Sequence, residues 1–248
     1  MYSTPPQAIP AIDEMAEPTL FIGNDIVDLK TPDSVGKSMN RRYVERVFTP
    51  EELLSCGSFI DDHILWCTWA AKESVHKIVA KAFHHWPTPR SMRVEPATPW
   101  LQKPTCGVVV WEDIRFPVRW RWTGDYIHAM AWWASPEAEE SAAEVLTRID
   151  TIDAHDLKDA CLTLREAQSA GDPGSAAGRR LVRQLMAQGR RSYEMPLEIL
   201  RPANHRGFGP PELWSADDHI SEVDVSISHH GRYVSAVISK PMEGGHHA

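Results

Sequence analysis

No apolar run in this 248-residue chain approaches the roughly 18 residues that a membrane-crossing helix requires, so a helical membrane protein is excluded. Cysteine is scarce. Cys56, Cys67, Cys106 and Cys161 form no C-x-x-C pair and match no zinc-module spacing. That excludes a disulfide-stapled mini-protein and leaves the expectation of reduced thiols in a cytoplasmic protein. No H-E-x-x-H occurs, and the pairs His84–His85, His229–His230 and His246–His247 are adjacent residues, which do not share a helix or strand face. A transition-metal site is therefore not expected. Basic residues are outnumbered, 26 Lys and Arg against 34 Asp and Glu, a net charge of −8, so no nucleic-acid partner is expected. The first residues have no basic start and no apolar block, so no secretory leader is expected there.

What is present is an α+β pattern. Residues 1–19 hold four prolines and read as a flexible N-terminal arm. A short apolar strand follows at 21–29, then a helix at 36–47 carrying Arg41, Arg42 and Arg46. Thr49-Pro50-Glu51-Glu52 has the residues of a helix start, with Thr as cap and Pro in the first turn. Residues 62–84 read as a longer helix whose stripe includes Leu65, Trp69, Val75, Ile78, Val79 and Ala82. From 92 to 134, Val108–Val110, Phe116, Val118 and several tryptophans suggest strands around a core. Residues 135–141 suggest a linker, 137–169 an acidic helix, and 176–190 a basic helix with Arg179, Arg180 and Arg183. Two further strands are expected within 223–239, and 241–248 read as a C-terminal tail.

A faint repeat sets Gly124-Asp125-Tyr126-Ile127-His128-Ala129 beside Gly231-Arg232-Tyr233-Val234-Ser235-Ala236. It suggests two similar α/β halves, 20–135 and 136–240. A chance likeness between two hairpins is the alternative.

Two segments carry chemistry. Ile22-Gly23-Asn24-Asp25 puts an acid at the end of a strand. Trp69-Ala70-Ala71-Lys72-Glu73-Ser74-Val75-His76-Lys77 puts Glu73 and Lys77 four apart on one helix face. Taken singly, these could be a turn carboxylate and a surface ion pair. Together, with 43 residues between Asp25 and Trp69, they resemble the signature of the 4′-phosphopantetheinyl transferases, (V/I)-G-x-D followed by (F/W)-(S/C/T/A)-x-K-E-(S/A)-x-x-K. Arg42-Tyr43…Arg46-Val47-Phe48-Thr49…Glu52 is similar to the family's R-F…R-V-F-T-x-x-E stretch, Ser226-Ile227-Ser228-His229 to its S-I-S-H run, and Gly209-Pro210-Pro211 to its G-K-P turn, with proline in place of lysine.

The resemblance implies that the chain moves the 4′-phosphopantetheine arm of coenzyme A onto a serine of an acyl or peptidyl carrier protein, with Mg²⁺, releasing adenosine 3′,5′-bisphosphate. It implies Asp25 and Glu73 as metal ligands, Glu73 as candidate base and Lys77 at the phosphate or leaving group. Lys72, Lys77, Gly209, Pro211, Ser228 and His229 would hold coenzyme A. Some relatives carry a third acid two residues after the first; Val27 stands there, so two carboxylates are expected. The acid motif precedes the Ser-His motif, as in the short synthases of the family, but 156 residues lie from Glu73 to His229. The repeat accounts for the excess if the chain is a fused pseudo-dimer, a monomer in solution, with one working cleft between the halves. The two arginine clusters are candidate docking faces for an acidic carrier. Two other readings stand: a non-catalytic protein that binds coenzyme A or a carrier, and an unrelated magnesium phosphohydrolase.

Overall fold

The computed structural model describes residues 20–56, 60–134, 143–153, 155–188, 196–204 and 207–241. The expected N-terminal arm, the linker at 135–141 and all but the first residue of the C-terminal tail lie outside the described residues. The fold is α+β with antiparallel sheets.

Strand β1 (Leu20–Asp28) is followed by helices α1 (Arg41–Val47), α2 (Pro50–Cys56) and α3 (Asp62–Ala82). The helix expected at 36–47 divides: a 3-10 turn at Lys37–Met39 precedes α1, because Asn40 is extended and its side chain accepts from Tyr43 N as the α1 cap. Thr49 and Glu52 form a reciprocal cap on α2, each side chain accepting the other's backbone N–H. The stripe on α3 is buried as its period requires, with Trp69 only half-buried.

Strands β2 (Met92–Pro96), β3 (Cys106–Trp111), β4 (Ile114–Trp122) and β5 (Tyr126–Ala134) complete a five-stranded sheet in the order β1-β5-β4-β3-β2. Against it α3 packs Val75, Ile78 and Val79, with Trp111, Trp120 and Trp133 among the sheet's buried residues.

The acidic segment is not one long helix. It forms strand β6 (Ala143–Thr151) and two single-turn helices, α4 (Asp156–Asp159) and α5 (Leu164–Ala167). Val145, Thr147, Ile149 and Thr151 place β-branched side chains at every second position, a strand period that the acidic composition hid. Helix α6 (Pro173–Gln188) follows, then strands β7 (Leu197–Leu200), β8 (Ala203–Asn204), β9 (Gly207–Phe208), β10 (Glu212–Ser215), β11 (Asp218–His219), β12 (Asp224–His230) and β13 (Tyr233–Pro241). A second sheet runs β12-β13-β6, and β10 joins β11 to β7 in a third. Helix α6 packs Leu181, Val182 and Leu185 against Val225, Val234 and Ala236.

The arginines of α6 do not form an open basic face. Arg179 is buried and donates to Ile199 O, to Ser175 and to Ser169 Oγ. Arg180 pairs with Asp156 and Asp150, and Arg183 with Glu166. The acids of 150–166 are thus internal partners of α6, which leaves Arg41, Arg42 and Arg46, all exposed, as the remaining cluster.

Candidate active site

The two sheets meet edge to edge along β1 and β12. The β1 backbone groups turned away from β5 need partners, because a buried N–H or C=O left unpaired costs about 1–3 kcal/mol. Lys77 Nζ donates to Asn24 O (2.5 Å) and Ile227 O (3.3 Å), and Lys81 Nζ to Ile22 O (2.5 Å) and Val225 O (3.2 Å). Two lysines one turn apart on α3 therefore tie both strands. Gly23 lets β1 come this close to α3, since a methyl there would lie 1.9 Å from Ser74 O.

That approach brings Asp25 to Glu73. Burial first, then the neighbouring Asp25 carboxylate, push the Glu73 carboxyl up to about 7, against the opposing pull of Lys77. Lys77 Nζ stands 3.6 Å from Asp25 Oδ1. The expected pair is thus assembled from residues 48 positions apart. Tyr43, which the sequence did not single out, faces both acids: burial, Glu73 and Asp25 raise its hydroxyl to about 12. Its ring lies 5.8 Å from those of Trp66 and Trp69.

Two like charges held together in a partly buried place, with hard oxygen donors, fit a divalent cation such as Mg²⁺. Among the described residues no group of three or more His, Cys, Asp or Glu is placed to hold a metal. Val27, at the position of a third acid, is buried in the core. Asp28 instead pairs with Arg232, whose guanidinium and backbone N–H hold its carboxyl well below the usual range.

Lys77 also lines a cavity of about 520 Å³ between α3 and the segment 173–229. Its wall includes Arg201, His229, Gly209 and Pro211, with Arg179 and with Lys81, whose ammonium pairs with Asp224 (2.5 Å) just behind the wall; among the described residues that line it there is no carboxylate. In a chain of net charge −8 such a wall marks a place for an anionic ligand. Arg201 holds the Gly209 turn by donating to Gly209 O (2.8 Å) and Phe208 O (3.2 Å). His229 lies 3.7 Å from Asp172 and packs on Gly174 at the start of α6. Burial lowers its ring pKa, with Asp172 opposing. His229 also lines a second cavity of about 280 Å³ with Asp25 and Tyr43. The basic and acid-lined spaces therefore adjoin.

Lys72, which the resemblance places at coenzyme A, does not line the cavity. It is fully buried, and its Nζ donates to Glu52 Oε2 (2.6 Å) and Val47 O (2.7 Å). The helix phase contained the signal: Leu65, Thr68, Lys72, Val75, Val79 and Ala82 fall three or four apart, and all are buried.

The family model described as 4′-phosphopantetheinyl transferase superfamily matches residues 21–131, so this part of the chain is similar to that superfamily. The match spans β1, the helices and the first sheet, and it ends before the Ser-His motif. No curated protein matches the chain.

Proposed function

We propose that the chain is a Mg²⁺-dependent holo-acyl-carrier-protein synthase type of transferase, which moves 4′-phosphopantetheine from coenzyme A to a serine of an apo acyl or peptidyl carrier protein. The observation that carries this reading is the Asp25–Glu73 pair set beside a carboxylate-free basic cavity. Asp25 and Glu73 would hold the cation, which when bound spreads the charge of the pyrophosphate. Lys77, Arg201 and His229, with the Gly209–Pro211 turn, would receive the phosphates and nucleotide of coenzyme A. Glu73, directly or through a bound water, is the proposed base for the serine. The serine hydroxyl attacks the β-phosphorus, its proton passes to Glu73, and the phosphorus–oxygen bond to adenosine 3′,5′-bisphosphate breaks.

A fused pseudo-dimer of two halves, 20–135 and 136–240, belongs to the same proposal. In each half the first strand pairs with the last, the last forms a hairpin with the strand before it, and a helix covers the sheet: β1, β5, β4 and α3 correspond to β6, β13, β12 and α6. Tyr126 and Tyr233, equivalent in the repeat, meet with ring centroids 4.9 Å apart, as residues near a two-fold axis do. For the carrier we propose the exposed Arg41, Arg42 and Arg46 of α1; a carrier Michaelis constant that rises with salt is expected from such a face.

The test is to mix the protein with apo carrier, coenzyme A and Mg²⁺ and weigh the carrier. A phosphopantetheine mass gain is expected. Coenzyme A binding with no gain against carriers of fatty-acid, polyketide and peptide type would favour a non-catalytic binding protein.

A further inference from the structure

The join between the two sheets is made on one side by side chains of β12. Asp224 Oδ2 accepts from Ile22 N (2.6 Å), Ser226 Oγ from Asn24 N (3.0 Å), Ser228 Oγ from Ile26 N (3.3 Å) and His230 Nδ1 from Asp28 N (3.0 Å). Every second residue of one strand thus serves every second N–H of the other. Ser228 does more than its neighbours. A hydroxyl has a single proton and accepts through its lone pairs. With the Ile26 N–H directed at its oxygen, the Ser228 proton goes to Asp25 Oδ1, 2.6 Å away. The side chain is therefore clamped at both ends and buried.

We propose that Ser228 is a positioning residue for Asp25, and not the coenzyme A contact that the family resemblance implies. Its hydroxyl fixes the turn of the Asp25 carboxylate against β1, so that the acid meets a divalent cation in one orientation. Because the bond is short, donated to a carboxylate and made by a buried hydroxyl that is itself held by Ile26 N, it resists rotation of the carboxylate better than an exposed contact would, even though Ser228 borders the larger cavity. This rests on the reading of Asp25 and Glu73 as the cation-holding pair. The rung pattern supplies the control, since Ser226 makes the same backbone bond one step earlier and its hydroxyl is on Asn24 N, not on the acid.

The experiment compares Ser228→Ala, Ser228→Thr, Ser226→Ala and Asp25→Asn with the wild type. Mn²⁺ affinity is read by electron paramagnetic resonance on the full chain, beside the Mg²⁺ half-saturation and the coenzyme A Michaelis constant in transfer. Ser228→Ala is expected to weaken Mn²⁺ about tenfold, roughly 1.4 kcal/mol, and to raise the Mg²⁺ half-saturation similarly. The coenzyme A constant should stay within about twofold. Ser228→Thr, which keeps the hydroxyl, should recover most of the Mn²⁺ affinity even if Ser228→Ala folds poorly, and Ser226→Ala should keep it. Wild-type Mn²⁺ affinity in Ser228→Ala, with Asp25→Asn impaired, would overturn the positioning role alone. A raised coenzyme A constant with Mn²⁺ unchanged would restore Ser228 as a coenzyme A contact. A wild type that takes up no Mn²⁺ would overturn the acid-pair reading and this inference together.

Discussion

Lys72 lies in an ionic knot where each charge has a partner, whereas Glu73, one residue further along α3, shares a cleft with another acid. The knot is dry: Lys72 donates to Glu52 and Val47, and the other Glu52 oxygen accepts from Val94 N (2.6 Å). In the cleft, Lys77 is the cation within ion-pair distance of Asp25, and its ammonium also serves two backbone carbonyls. A 100° turn of the helix separates the two environments. Charge that is matched inside the fold secures the fold. Charge left mutually repelling at a surface opening is open to a ligand, and its cost to stability is the room left for one.

Two tests can break that contrast, and the first has the largest expected effect. Replacing either carboxylate, Asp25→Asn or Glu73→Gln, is expected to lower transfer at least about 10³-fold, about 4 kcal/mol in the transition state. The melting temperature should hold or rise slightly, because like-charge repulsion is relieved. Transfer assays by carrier mass, paired with thermal melts, check it; wild-type turnover in either variant would remove both acids from the chemistry. The second is Lys72→Met. It leaves the buried Glu52 carboxylate without its cation, so a loss of about 3 kcal/mol is expected in denaturant unfolding. Turnover per folded molecule and the coenzyme A Michaelis constant should change by less than about threefold. A large rise in that constant at unchanged stability would return Lys72 to the ligand.

How much of this was readable in advance depends on the range of the interaction. The reciprocal cap of Thr49 and Glu52 spans three residues, and the tryptophan-rich strands carry their own period, so both were legible. Asp25 and Glu73 were found because a motif recorded their partnership, not because spacing alone required it. The pairing of Arg180 and Arg183 was hidden because their acids, Asp150, Asp156 and Glu166, lie 17 to 30 residues upstream on other elements. The same acids disguised β6, whose β-branched alternation was overridden by its charge. Ser228 was noticed for its motif, but its bond to Asp25 joins residues 203 positions apart, and only the packing of β12 on β1 brings them together.

A smaller effect separates Asp25 from Asp28, three residues on, where the carboxylate is again fully matched. Asp28 is buried and accepts from Lys30 N, Arg232 N and both the Nε and Nη2 of Arg232. These donors hold its carboxyl well below the ordinary aspartate value of 3.8. A carboxyl depressed in the fold contributes stability that is fully present above its unfolded value and is lost as pH falls below it toward the native value. Asp28→Asn is therefore expected to cost about 2 kcal/mol near neutral pH, with the half-exposed Arg232 tempering the figure through solvent screening. Below about pH 4 the gap should narrow, because the wild type loses the contribution that the amide never had. Denaturant midpoints at pH 7, 4 and 3 measure this, and parallel curves across that range would show that Asp28 is not a source of acid sensitivity.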